Sequence, residues 1–164
     1  MKTKSEVFAE IEKKIEQQGL SYIDKDETRP WGGFLVLNEK EAQHFSDLYF
    51  GGISVETLRI SGKLSPKILI VGPEKRLSWQ YHHRRAEIWR VVEGIVGIIR
   101  SDNDQEGKLE EFKPGDMITL KQGERHRLIG LKDWGIVAEI WQHTDPDQAS
   151  DENDIVRVQD DFGR

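Results

Sequence analysis

The sequence predicts an all-β barrel or sandwich with a short helical extension at its N-terminus. Three observations lead there. From Ile53 onward, short runs rich in Val, Ile and Trp alternate with turn signals at regular spacing. Ahead of them, Val7, Phe8, Ile11 and Ile15 fall on one face of a single helical pattern. The chain has 164 residues, enough for one domain to enclose a core without staples.

Ser5 can cap a helix running to about Gln18, and Gly19 stops it. Thr28-Arg29-Pro30-Trp31-Gly32-Gly33 breaks that pattern, and residues 34–37 read as a strand. Asn38 with Glu41 three positions later reads as a capping box, opening a helix to about Tyr49 that Gly51-Gly52 ends. The strands that follow are expected at 54–60, 66–71, 78–82, 88–92, 94–100, 109–112, 116–120, 125–128 and 136–142. Gly62, Gly72-Pro73, Pro114-Gly115, Gln122-Gly123 and Asp133-Trp134-Gly135 are among the breaks. Residues 144–154 are polar and acidic and read as a surface loop before a last segment, 155–164. The expected organisation is a helical extension over 1–27 and a barrel over 28–164.

Composition narrows the function. Net charge is −6, whereas a nucleic-acid binder needs a basic face, so no nucleic-acid partner is expected. The apolar runs 68–71 and 95–99 are too short to cross a bilayer, and no membrane partner is expected. The N-terminus leads into a charged helix rather than an apolar signal region, which makes a cytoplasmic location the expectation. There is no cysteine, so any metal must sit on nitrogen and oxygen ligands. Arg84, Arg85 and Arg90 lie close together in sequence, as do Arg125 and Arg127, and either spot could hold a small anion.

Gln80 and His82 are two apart on a strand pattern and project together, with Tyr81 and His83 pointing the other way. Glu87 follows five residues later, at a turn or the start of the next strand, and Gly94 can end that strand. Gly115 and Gly123 mark tight turns, and His126 comes three residues after the second. Glu139 and His143 share a face of a later strand, and either could act as a base.

These residues resemble the two motifs of the cupin superfamily. Gly72, Gln80-Tyr81-His82, Glu87 and Gly94 match the first, and Gly115, Gly123 and His126 match the second. The second departs from the pattern at Lys121, where proline is usual, and at Gly130, where asparagine is usual. The likeness extends further. Arg29-Pro30-Trp31-Gly32, the run 77–84, Ala86-Glu87-Ile88-Trp89, Arg125-His126-Arg127-Leu128, Asp154-Ile155-Val156-Arg157 and Asp160-Asp161-Phe162-Gly163-Arg164 are similar to the type II mannose-6-phosphate isomerase domain, over about 28–164.

The resemblance implies a double-stranded β-helix, or jelly-roll, barrel in which Gln80, His82, Glu87 and His126 converge on one divalent metal ion: Zn, Mn, Co or Fe. It implies a metal-dependent aldose–ketose isomerase taking a sugar phosphate as its small-molecule substrate, most directly interconverting mannose 6-phosphate and fructose 6-phosphate. Such a reaction passes through an enediol whose oxygen gains negative charge, which a Lewis acid and fixed cations stabilise. Arg29, Arg84 and Arg164 are expected to hold phosphate through their planar donor forks, Arg164 as the one that reaches the active site as a catalytic residue. Glu139, from the strand face it shares with His143, is the candidate catalytic carboxylate. The family further implies a homodimer, here as a stand-alone form of a domain that often follows a guanylyltransferase. The competing readings are a non-catalytic sugar- or sugar-phosphate-binding cupin, an isomerase for another phosphorylated sugar, and a metal-dependent oxygenase.

Overall fold

A strand such as Lys67–Val71, in which every residue is buried, needs cover on both faces. The computed structural model, which describes residues 1–164, provides it with two sheets and a helical layer. Helix α1 (Lys4–Gln17) leads to β1 (Tyr22–Asp26), β2 (Gly32–Leu37), a 3-10 turn (Glu39–Glu41), α2 (Ala42–Tyr49) and α3 (Val55–Leu58). Strands β3 (Lys67–Val71), β4 (Trp79–Tyr81), β5 (Arg85–Glu93), β6 (Val96–Ser101) and β7 (Leu109–Phe112) follow. The last four are β8 (Met117–Leu120), β9 (Arg125–Gly130), β10 (Gly135–His143) and β11 (Val156–Gln159). They form a six-stranded sheet, β1-β2-β3-β10-β5-β8, and a five-stranded sheet, β11-β4-β9-β6-β7. Every strand pairing is antiparallel. No helix is long and apolar enough to cross a membrane.

Side-chain alternation divides the core in two. Leu69, Val71, Trp89, Val91 and Val137 from the larger sheet meet Val96, Ile98 and Leu128 from the smaller one inside the barrel. Their neighbours Ile68, Ile70, Ile88, Ile136, Ala138 and Ile140 pack on the outside against Val7, Phe8, Ile11 and Ile15 of α1 and Phe45 of α2. The continuous apolar runs of β3 and β10 follow from this double cover.

Several elements differ from the sequence reading. Residues 54–60, expected as a strand, contain the short helix α3, because Val55 and Leu58 bury at helical spacing and Thr57 N–H donates to the Ser54 carbonyl. Strand β1 was not anticipated, and its almost wholly exposed side chains carry no alternating signal. Because β1 pairs with β2, the expected boundary between residues 27 and 28 falls between two strands of one sheet. Thr3 rather than Ser5 caps α1, accepting from Glu6 N–H. Asn38 does cap the 3-10 turn, but Glu41 accepts from the backbone and hydroxyl of Ser21 instead of closing a box.

The departures from the cupin pattern also find reasons. Lys121 N–H donates to Glu124 Oε1 at 2.9 Å, a bond that proline could not make. A side chain on Gly130 would place its Cβ 1.9 Å from the Gly72 carbonyl oxygen.

Phe8 has no exposed surface and seats α1 on the larger sheet. Phe8→Ala is expected to lower unfolding free energy by about 3–5 kcal/mol in denaturant titration. A loss near zero would show that α1 does not share the barrel's core.

Candidate metal centre

One end of the barrel interior is polar. Gln80 on β4 lies directly across from His126 on β9, so their side chains share a face. His82 follows β4 by one residue. Glu87 comes from β5 in the opposite sheet, paired with Trp141 and Leu120. The ligand atoms of His82, Glu87 and His126 all lie within 4.8 Å of one another, and all three residues are buried. Glu87 Oε1 is 3.1 Å from His126 Nε2, and Glu87 Oε2 is 3.5 Å from His82 Nε2.

The hydrogen bonds behind the rings fix their protonation. His82 Nδ1 lies 2.6 Å from the Asp154 carbonyl oxygen and His126 Nδ1 lies 3.1 Å from that of Glu124. A carbonyl can only accept, so each Nδ1 must carry the proton. In the neutral ring, Nε2 then offers a lone pair toward the Glu87 carboxylate. Burial lowers the His82 pKa, partly opposed by Glu87, which keeps that ring neutral. His82 Nε2 is buried without a hydrogen-bond partner. Lone pairs facing a buried carboxylate repel one another unless a cation lies between them. The donor set therefore fits a divalent metal ion. Gln80 stands beside this set with its amide nitrogen 3.4 Å from His126 Nε2, while its oxygen accepts from the Ser78 hydroxyl at 2.6 Å.

The carboxylates around the centre differ in charge. Burial alone would raise the Glu87 pKa, but its charged surroundings, with the Arg85 guanidinium donating to it, hold it well below the usual carboxylate range. Burial and the Glu87 charge push Glu139 well above that range, against Lys67 and Arg85. Glu139 Oε1 also accepts from Trp141 Nε1 at 3.1 Å. An ionised carboxylate thus sits beside a carboxyl group that burial and that charge drive toward its protonated form.

Glu87 and Gln80 reach the wall of a cavity of about 210 Å³, with His82 and His126 behind them. Five cationic side chains line it, Arg29, Lys67, Arg85, Arg157 and Arg164, with the carboxyl groups of Glu87, Glu139 and Glu152 among them. The expected residues Arg29, Glu139 and Arg164 are thus brought to the cavity with Gln80 and Glu87. Arg84 is not at its wall. Its guanidinium lies near Asp151 and Asp154, 3.6 and 3.9 Å away. His143 bonds the Lys63 carbonyl at 2.7 Å through Nε2.

Three cations were given no place at the site by the sequence reading, which noted Arg85 only within a cluster able to hold a small anion. Arg85 stacks on Trp141 at 3.8 Å and donates to Glu87 at 3.1 Å; its place two residues before Glu87, on the same face of β5, was the available signal. Lys67 bonds Glu152 at 2.8 and 3.0 Å beside Trp141, and a lone lysine leading an apolar run was its signal. Arg157 makes no ion pair, unlike Arg29 with Asp26 at 2.9 Å and Arg164 with Asp160 at 2.8 Å. Burial and the charges of Arg164 and Arg29 lower its pKa, against Asp160. It lies in the family-like stretch Asp154-Ile155-Val156-Arg157, but nothing local gave it a role.

The family model for the C-terminal region of mannose-6-phosphate isomerase matches residues 37–160. The chain belongs to this family. It is 36% identical over 62 residues to the alginate biosynthesis protein AlgA of Pseudomonas aeruginosa, a match covering 38% of this chain and 13% of AlgA. Among solved structures, the capsular polysaccharide assembling protein CapF from Staphylococcus aureus superposes with a TM-score of 0.54 at 14% identity, over 84% of this chain and 34% of CapF. KdgF from Halomonas sp. gives 0.51 at 14% identity, over 76% of this chain and 91% of KdgF. At such identities these two likenesses concern fold alone. Together with the family match, they make the barrel a cupin.

Within this mannose-6-phosphate isomerase C-terminal family member, His126→Ala should reduce bound divalent metal at least about tenfold by elemental analysis. The circular dichroism of a folded β protein should persist. Unchanged metal content would remove His126 from the ligand set.

Proposed function

We propose that the chain is a metal-dependent sugar-phosphate isomerase, with mannose 6-phosphate and fructose 6-phosphate as its substrate pair. One observation carries the reading: a buried His–Glu–His set lies against a cation-lined cavity, which Glu87 reaches, in a protein whose net charge is −6. Membership of the mannose-6-phosphate isomerase C-terminal family supports it.

The rest follows from charge and position. His82, Glu87 and His126 hold the metal, with Gln80 beside them. The bound ion supplies a Lewis acid for the sugar's carbonyl and hydroxyl oxygens. Arg164 and Arg29 at the cavity wall hold the phosphate, and the unpaired Arg157 adds a third donor fork. Glu139, carrying a proton beside the charged Glu87, is the group placed to exchange a proton with the substrate. Lys67 and Arg85 add positive charge that stabilises an enediolate oxygen. The aromatic rings of Trp31, Phe34 and Trp89 line the same space and limit the water around the reacting carbons.

Purified, metal-loaded protein should convert mannose 6-phosphate to fructose 6-phosphate in a coupled assay, and a chelator should abolish turnover. Arg164→Ala should lower kcat/KM about 10- to 100-fold, the loss expected for one charged hydrogen-bonding group on phosphate. Sugar-phosphate binding without turnover, across Zn, Mn, Co and Fe, would instead make this a binding cupin.

A further inference from the structure

Two of the three buried ligands are held by the same stretch of chain, residues 150–154, which runs directly into β11. The first tie is His82 Nδ1, which donates to the Asp154 carbonyl at 2.6 Å. The Asp154 carboxylate, itself buried, accepts from the backbone N–H groups of His83 and Arg84, both at 2.9 Å, and from the Ser150 hydroxyl at 2.7 Å. His83 and Arg84 form the turn immediately after His82. One residue therefore fixes the imidazole by its main chain and the backbone carrying that imidazole by its side chain. The second tie runs through Arg85, which donates to Glu87 at 3.1 Å and to the Ser150 hydroxyl oxygen and Asp151 carbonyl at 2.9 Å each.

Any residue could offer the carbonyl. The carboxylate is specific, because three donors converge on a group with no hydrogens of its own. An amide there would turn an N–H₂ toward one of those donors and leave buried groups unsatisfied.

We propose that Asp154 is a positioning residue of the metal centre: it orients His82 so that Nε2 faces the site, and it holds the turn from which His82 projects. The proposal rests on the His–Glu–His set being a metal site. A ligand ring held in place from behind binds metal more tightly than one free to rotate, and losing such a partner costs about 10- to 100-fold in affinity.

The test titrates Co²⁺ into the metal-free full chain, read by calorimetry and by the visible absorption of the bound ion. Wild type is compared with Asp154→Asn and Ser150→Ala. Asp154→Asn should weaken Co²⁺ binding about 10- to 100-fold and alter the visible band, with the far-ultraviolet dichroism of the metal-free protein retained. Ser150→Ala removes one of the three donors and should weaken binding about three- to tenfold, which decides the matter if Asp154→Asn does not fold. A purely structural aspartate would change the melting temperature and leave affinity and band alone. Folded Asp154→Asn binding Co²⁺ within about twofold of wild type, with the same band, overturns the proposal, as does an unaffected Ser150→Ala where that variant stands in. Wild type taking up no Co²⁺ would overturn the metal reading itself, a different failure from the first.

Discussion

Glu87 is a carboxylate buried at the heart of the barrel, and two imidazole nitrogens point their lone pairs at it. That arrangement is unfavourable on its own and becomes favourable around a divalent cation. The polar end of the interior is organised about it. β5 brings Glu87 from one sheet, and β4 and β9 bring Gln80 and His126 from the other. Backbone carbonyls of Asp154 and Glu124 set the tautomers. The centre thus links the two sheets at the end where apolar side chains give way to charged ones.

The same end resolves an apparent contradiction in charge. The chain as a whole is acidic, yet the cavity walls are rich in arginine and lysine. Most acidic residues lie on the solvated surface, while five cations converge on the cavity, Lys67 and Arg85 buried in its wall and Arg157 and Arg164 exposed at its edge. Part of this positive charge is neutralised by Asp26, Glu152 and Asp160 at the edge. Arg157 is left without such a partner, which keeps an attraction for anions in a protein whose long-range field would repel them.

How much of this was legible in the sequence depends on how local the determinant is. Strand parity put Gln80 and His82 on one face, but the convergence of His82, Glu87 and His126 was readable only through the family likeness. Arg29 and Arg164 were readable only through the family likeness, whereas Glu139 stood out by sharing a strand face with His143. Arg84 was expected at the phosphate, but the turn after His82 begins a new strand, and its parity sends Arg85 to the cavity instead. Helix α3 was missed because a four-residue helix rich in β-branched neighbours resembles a strand in one dimension. Strand β1 was missed because an exposed edge strand needs no hydrophobic pattern. The part played by Asp154 was invisible as well, since it depends on a carbonyl and a carboxylate meeting a turn some seventy residues earlier, a contact of tertiary structure alone.

The most direct measurement is anomalous diffraction from crystals of the protein loaded with Zn²⁺ or Co²⁺. The account predicts one strong peak per chain about 2.0–2.2 Å from His82 Nε2, His126 Nε2 and a Glu87 carboxylate oxygen. A fully occupied ion bound elsewhere, with Glu87 still facing two unliganded imidazoles, would contradict it.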